Sequence, residues 1–127
     1  RSFSYNQDKV GKKDHMQWFN SKIDDPDCEY YILEYKGENA GSIRFDIDEM
    51  NHAKISYLID SNFTGKGLGT AILKQGIALL KKNKPNVKKV FGYVLKENKA
   101  SVRIFEKLNF NLIEESDSEL KYDKGIR

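Results

Sequence analysis

The sequence predicts an α+β domain with a mixed, mostly antiparallel sheet flanked by helices. Three observations predict it. Between residues 29 and 59 three β-rich runs alternate apolar and polar positions and are joined by short polar turns, which is the pattern of an antiparallel meander. From Leu68 onward the apolar period lengthens from two to about 3.6, so a helix follows the third strand and a parallel neighbour becomes possible. The 127 residues are 39% hydrophobic and 32% charged, which supports one core and is too apolar for a disordered chain.

Residues 1–11 are polar with two aromatics, Phe3 and Tyr5, and read as an extended or irregular lead-in. Asp14 is placed to cap a helix running to Lys22, with Met16, Phe19 and Ile23 on one face. Asp24, Asp25, Pro26 and Asp27 form a turn. Glu29 to Tyr35 is a strand, Lys36-Gly37-Glu38-Asn39 is a hairpin signal, and Gly41 to Ile47 is the partner strand with Ile43, Phe45 and Ile47 inward. After a polar turn at Asp48 to His52, the strand Ala53 to Ile59 puts Ile55, Tyr57 and Ile59 on one face and Ser56 and Leu58 on the other. Asp60 to Gly67 is a Gly-bearing loop. Leu68 to Asn83 is a helix that stops before Pro85. Lys89 to Val94 is a short strand, Asn98 to Leu108 an amphipathic helix, and Phe110 to Ile113 and Leu120 to Tyr122 are short last strands.

Composition removes several function classes. No stretch approaches the roughly 18 unbroken apolar residues of a membrane helix, and no charged-then-apolar leader opens the chain, so neither a membrane partner nor an export signal is expected. The first residue is Arg1 and not Met, so the expectation is a single domain over 1–127 that is N-terminally incomplete. A net charge of +3, from 22 Lys and Arg against 19 Asp and Glu, is too mild to indicate nucleic acid but suits a small polyanionic ligand. The single Cys28 excludes an internal disulfide and suits a reducing cytoplasm. With His15 and His52 far from it, there is no zinc spacing, and no metal is expected.

The most specific chemical feature is the junction from Ile59 to Thr70, IDSNFTGKGLGT. A strand enters a loop with glycines at 65, 67 and 69, and a helix begins at once. Glycines let the backbone approach a ligand, and the helix start offers free N–H groups and partial positive charge suited to a pyrophosphate. Two common phosphate loops fail the comparison. The Walker pattern needs Gly where Asp60 stands and Ser or Thr where Gly67 stands, and the dinucleotide fingerprint needs Gly where Ile72 stands. A second feature is Asn98 to Phe110, NKASVRIFEKLNF, whose Ile104, Phe105 and Leu108 also read as core.

Taken together, these segments resemble the GCN5-related N-acetyltransferase (GNAT) family. Thr64-Gly65-Lys66-Gly67-Leu68-Gly69 matches the family's Arg/Gln-x-x-Gly-x-Gly/Ala loop in both glycines, with Thr64 in the Arg/Gln position. Asn98, Ser101, Ile104, Lys107 and Phe110 match the later motif, with Phe105 for the usual Tyr and Asn109 for the usual Gly. The resemblance covers about residues 12–115. It implies the GNAT fold, a three-layer arrangement whose N-terminal strand is missing from this chain, and acetyl-CoA-dependent transfer to a primary amine.

The resemblance also implies roles. Gly65 to Thr70 would hold the pyrophosphate of acetyl-CoA, the edge of Ser56 to Ile59, with Leu58, would pair with the pantetheine amides, and Asn98, Ser101 and Lys107 would lie along the cosubstrate. The strand Lys89 to Val94 would splay away to open the cleft. The Lys81, Lys82, Lys84 run reads as a solvated helix end or as a partner of the 3′-phosphate. Transfer needs a base, a polarised carbonyl and a proton for the leaving thiolate. In many members of the family the Tyr at the motif position of Phe105 supplies that proton. Phe105 cannot, so water, another hydroxyl or solvent must, or the domain is slow or inactive. Ser56 could position a water, but a serine at its ordinary pKa is no base.

The N-terminal half bears on the acceptor. Asp14-His15-Met16-Gln17-Trp18-Phe19 and Gly41-Ser42-Ile43-Arg44-Phe45-Asp46 resemble a branch that acetylates nucleotide-linked 4-amino sugars in pseudaminic-acid and related surface-glycan pathways. This implies His15, Trp18, Arg44 and Asp46 as acceptor contacts, with His15 also able to relay a proton. Arg44 suits a phosphate. Trp18 equally reads as core, and Arg44 as a solvated charge. The expected partners are a small-molecule amine or nucleotide sugar, with a homodimer as the assembly the resemblance allows. The alternatives are another small amine, a protein amine, or a non-catalytic acyl-CoA-binding module of the same fold.

Overall fold

The computed structural model describes residues 2–4, 16–21, 25–64 and 67–127. Along the chain run β1 (Ser2–Ser4), β2 (Met16–Ser21), β3 (Cys28–Tyr35), β4 (Glu38–Ile47), β5 (His52–Ile59), a 3-10 turn at Ser61–Phe63, α1 (Leu68–Asn83), β6 (Lys89–Leu95), α2 (Lys99–Lys107), β7 (Asn111–Glu115) and β8 (Glu119–Gly125). The described strands form one eight-stranded sheet in the order β1-β2-β3-β4-β5-β6-β8-β7. All neighbours are antiparallel except β5 and β6, which are parallel because α1 carries the chain back over the sheet.

Local chemistry accounts for the meander. Lys36 (φ 54°) and Gly37 (φ 81°) both take positive φ, the two-residue hairpin geometry that matches strand twist, and Tyr35 pairs with Glu38 across it. Between β4 and β5 the Asp48 carboxylate accepts from the N–H groups of Met50 and His52, and Asn51 takes the positive φ (62°). Helix α1 buries Ile72, Leu73, Gly76, Ile77, Leu79 and Leu80. Gly76 allows contact with Ile43 of β4, since a Cβ there would come within 2.8 Å of it. Helix α2 lays Phe105 on Gly92 of β6, next to Ile55. Cross-strand pairing puts Ile43 opposite Tyr57 and Phe45 opposite Ile55, so these four share a side. Both described helices therefore pack on the same face, and they touch where Ile104 of α2 meets Gly69 of α1. On the opposite face, where Arg44, Ser56 and Leu58 project, no helix lies among the described residues. None of the described helices is long and apolar enough to cross a membrane.

One expectation needs correction, and one open reading is decided. Met16–Ser21 is a strand and not part of a helix, pairing antiparallel with β3 through Met16–Tyr35 and Trp18–Leu33. Met16 and Trp18 are buried while Gln17 and Phe19 are half-buried, a period of two that pairing with β3 selects over the helical reading. The helix cap expected at Asp14 and the end at Lys22 lie outside the described residues. The Lys81, Lys82, Lys84 run sits at the far end of α1, about 24 Å from its start at 1.5 Å per residue. There Lys84 Nζ donates to the Pro26 carbonyl at 2.8 Å, and Arg127 donates to the carbonyls of Lys81 and Lys84. Lys81 and Lys82 are exposed, so the run is the solvated helix end, at the opposite end of α1 from the glycine loop.

Candidate active site

Strands β5 and β6 are paired only through His52–Lys89, Ala53–Val90 and Lys54–Phe91. Beyond Lys54 they part. β5 stays paired with β4 as far as Ile59, and β6 stays paired with β8 as far as Leu95. The inner edges from Ile55 to Ile59 and from Gly92 to Leu95 face a gap. A cavity of about 760 Å³ fills it, walled by β5, by the end of β6 and by Asn98, Ser101, Ile104 and Phe105 of the α2 segment.

A second cavity of about 390 Å³ adjoins it, sharing Ile59, Thr64, Ala100 and Ile104. Its walls are Gly67, Leu68, Gly69 and Thr70 at the start of α1, and Arg103 and Lys107 on α2. Gly67 is the N-cap with φ 75°, in the left-handed region, and makes no side-chain capping bond. Among the described residues no side chain accepts from the first-turn N–H groups, and they lie beside two exposed cations one helical turn apart. Backbone dipole and side-chain charge both favour an anion there.

The sequence-predicted residues divide into three groups. Ser56, Leu58, Ile59, Thr64, Asn98, Ser101 and Phe105 line the first cavity, and Ile59, Thr64, Gly67, Leu68, Gly69, Thr70 and Lys107 the second. Gly65, Lys66 and His15 lie outside the described residues. Trp18, Arg44 and Asp46 line neither cavity. Trp18 is 0% exposed, and its indole Nε1 donates to Gln75 Oε1 of α1 at 2.8 Å. Its acceptor role is corrected to a core role: the indole is a buried clamp between β2 and α1. Arg44 Nε donates to both Asp46 carboxylate oxygens, at 3.1 and 3.2 Å, on the face away from the helices. Its cross-strand partner is Ser56, so the Arg44–Asp46 pair stands one strand from the cleft.

Phe105 has no catalytic capacity of its own. It is 2% exposed, stacks on Tyr122 with ring centroids 5.3 Å apart, and directs its Cζ at Gly92. Asn98 accepts from the Ser101 N–H at 3.2 Å and so caps α2. Cys28 is buried, and that burial raises its thiol pKa, which keeps it a thiol and removes it as a nucleophile. Among the described residues no group of three or more His, Cys, Asp or Glu is arranged to hold a metal.

Three of the lining residues that sequence reasoning missed carry chemistry. Glu119 of β8 puts a carboxylate on the first cavity, and Arg103 puts a second cation on the other. Tyr57 is half-buried on the helix side of β5, and its Oη lies 2.6 Å from Ser101 Oγ. Burial raises the Tyr57 pKa, partly offset by the bond to Ser101. The alternation of β5 marks Tyr57 only as inward-facing, and nothing local signals that α2 supplies its partner.

Comparison with known proteins bears on this architecture. A profile of the acetyltransferase (GNAT) family matches residues 2–110. Spermidine N(1)-acetyltransferase of Escherichia coli (strain K12) is 29% identical over 102 residues, covering 74% of this chain and 51% of that protein. The chain thus spans about half the length of the curated relatives it matches. Among solved structures, ribosomal-protein-S5-alanine acetyltransferase of Vibrio fischeri superimposes with a TM-score of 0.71 at 16% identity, over 78% of this chain and 62% of that one. N-acetyltransferase PseH of Campylobacter jejuni, also solved in complex with acetyl coenzyme A, gives 0.68 at 17% identity, over 81% and 71%. At these identities the structures attest the fold. With the family profile spanning most of the sequence and the parted parallel strands leading into a glycine-started helix, the chain belongs to the GNAT acetyltransferase family.

Proposed function

We propose that the protein transfers the acetyl group of acetyl-CoA to a primary amine. The observation that carries this reading is the continuity of two features: the gap between β5 and β6 opens directly onto the glycine-started first turn of α1. The groups present fit such a cosubstrate. The β5 edge past Lys54 is unpaired toward β6 and can take amides as an added strand would. The N–H groups from Leu68 to Thr70, with Arg103 and Lys107, suit the phosphates. When bound, acetyl-CoA supplies an activated acyl carbon, and the protein's part is to hold it, admit the amine and manage protons.

The acceptor we favour is the amino group of a nucleotide-linked amino sugar. Its support is the sequence resemblance through residues 14–19 and 41–46, together with the guanidinium of Arg44 one strand from the cleft, where a nucleotide phosphate can replace Asp46 as its partner. His15 belongs to the same reading as a hydroxyl or proton-relay contact. A second reading, a polyamine acceptor, is favoured by the acidic Glu119 among the residues lining the cleft and by the spermidine acetyltransferases among the relatives.

One assay separates these readings. Thiol release from acetyl-CoA is followed with a nucleotide-linked 4-amino sugar, with spermidine and with an N-terminal peptide amine. Saturable release with the sugar nucleotide, and a KM for it that rises in Arg44→Ala while that for acetyl-CoA holds, is the expected result. Release with spermidine alone selects the second reading. CoA binding without release for any amine identifies a non-catalytic acyl-CoA holder.

A further inference from the structure

We propose that the Tyr57 hydroxyl, held in place by Ser101, protonates the departing thiolate. It thereby takes over the role that a Tyr at the position of Phe105 fills in many members of the family. This assignment rests on the acetyltransferase reading above. Phe105 has no hydroxyl, so this chain must find its proton elsewhere. Tyr57 projects from the neighbouring strand on the same face as Phe105, with ring centroids 6.4 Å apart and planes tilted by 56°. It stands three residues past Lys54, the last β5 residue paired with β6, and so lies just inside the opening.

The oxygen is positioned from two sides. The Tyr57 ring is fixed against Phe105, and its Oη is 2.6 Å from Ser101 Oγ. Ser101 is itself fixed, because Asn98 Oδ1 accepts its N–H in the first turn of α2. The other hydroxyls on the cleft wall are less suited. Ser56 faces the opposite side of the sheet, with Arg44. Tyr93 also faces that side, exposed, with the ammonium groups of Lys54 and Lys121 over its ring. Thr64 is committed to the Ser61 carbonyl at 3.1 Å. Tyr57 is a phenol at neutral pH as any tyrosine is, and burial shifts its pKa further up, so its proton is present when needed.

The step balances. The amine nitrogen bonds to the acetyl carbonyl carbon, and the carbon–sulfur bond breaks. Sulfur leaves with the bonding pair and takes the phenolic proton of Tyr57. The nitrogen sheds one of its two hydrogens as a proton, which returns through the Ser101 hydroxyl or water to the phenolate. The products are an amide and a free thiol, with Tyr57 and Ser101 as they began.

The test is steady-state kinetics of the wild type, Tyr57→Phe and Ser101→Ala with acetyl-CoA and the accepted amine, beside calorimetry of CoA binding. Tyr57→Phe is expected to lower kcat roughly 10²-fold, the contribution typical of a positioned acid. KM for acetyl-CoA and CoA affinity should stay within about twofold of wild type, and the decline of kcat at alkaline pH, which burial moves above the ordinary tyrosine value of about 10, should vanish. Ser101→Ala should lower kcat about tenfold and provides the test if Tyr57→Phe does not fold. A kcat within twofold of wild type in either folded variant overturns the assignment and leaves acetyl transfer standing. Loss of CoA affinity in proportion to kcat also overturns it, as the mark of a structural role. A wild type that binds CoA but acetylates no amine overturns the acetyltransferase reading, and this assignment with it.

Discussion

Phe105 stacks on Tyr122 and meets Phe110 edge-on at 4.8 Å, so the residue at the motif's Tyr position belongs to an aromatic cluster under the cleft. A hydroxyl added at Cζ would press on Gly92, where even a Cβ would lie 3.2 Å from that atom. Phe105→Tyr is therefore expected to destabilise the protein by about 1–3 kcal/mol, the usual cost of overpacking, with no gain in kcat. Urea unfolding of both proteins checks the first part and thiol release the second; a stable variant with raised turnover would show that the hydroxyl reaches the cleft. The sequence alone makes the missing hydroxyl legible, because one motif position specifies it. It cannot make Tyr57 legible, because Tyr57 and Ser101 are 44 residues apart and meet only when α2 folds onto β5. Trp18 is the reverse case: an aromatic read as either acceptor contact or core, decided by the hydrogen bond to Gln75 that only the packed sheet and helix provide.

Helix α2 shows how an element tolerates a departure from its motif. The motif's usual Gly is Asn109 here, and it takes φ 65°. Its N–H donates to the Glu106 carbonyl and that of Phe110 to the Phe105 carbonyl, which is the two-bond closure of a Schellman motif. The Phe105–Phe110 ring contact is the hydrophobic clasp that accompanies it. Asn is among the few non-glycine residues that accept the left-handed region at modest cost. Asn109→Gly is expected to leave stability unchanged or raise it by up to about 1 kcal/mol, and Asn109→Ala to lower it by about 1 kcal/mol. Denaturant midpoints of the three proteins test this order, and a stabilising Ala would contradict it. Elements with a strong period were legible: α1 runs from Leu68 to Asn83 as its apolar spacing requires. Met16 to Ser21 was not, since six residues with Met16 and Phe19 three apart fit a helix as well as a strand until β3 pairs with them.

For the whole molecule, the order β3-β4-β5-β6 follows from the meander and the helical crossover, but the insertion of β8 between β6 and β7 and the parting of β5 and β6 do not. Three pairs hold them together, and the aromatic cluster on Gly92 and Ile55 lies where they diverge. Two tyrosines in that cluster link its packing to pH. Burial raises the pKa of Tyr57, partly offset by Ser101. Burial, then the charge of Glu106, raises that of Tyr122, whose hydroxyl donates to Glu106 Oε2 at 3.3 Å. In the unfolded chain both titrate near the ordinary tyrosine value of about 10. Between that value and the higher folded ones, the unfolded state has lost protons that the folded state still holds. Stability from these groups is thus fully present below about pH 10 and falls as pH rises through the folded values. Urea midpoints measured at about pH 8.5, 9.5 and 10.5 should drop over the last interval, and Tyr57→Phe and Tyr122→Phe should each make that drop smaller. Comparing each variant's drop with the wild type's removes the contribution of lysines, which are common to all three proteins. A drop unchanged in both variants, or a wild-type midpoint that rises above pH 10, would mean that neither phenol is held in its protonated form by the cluster.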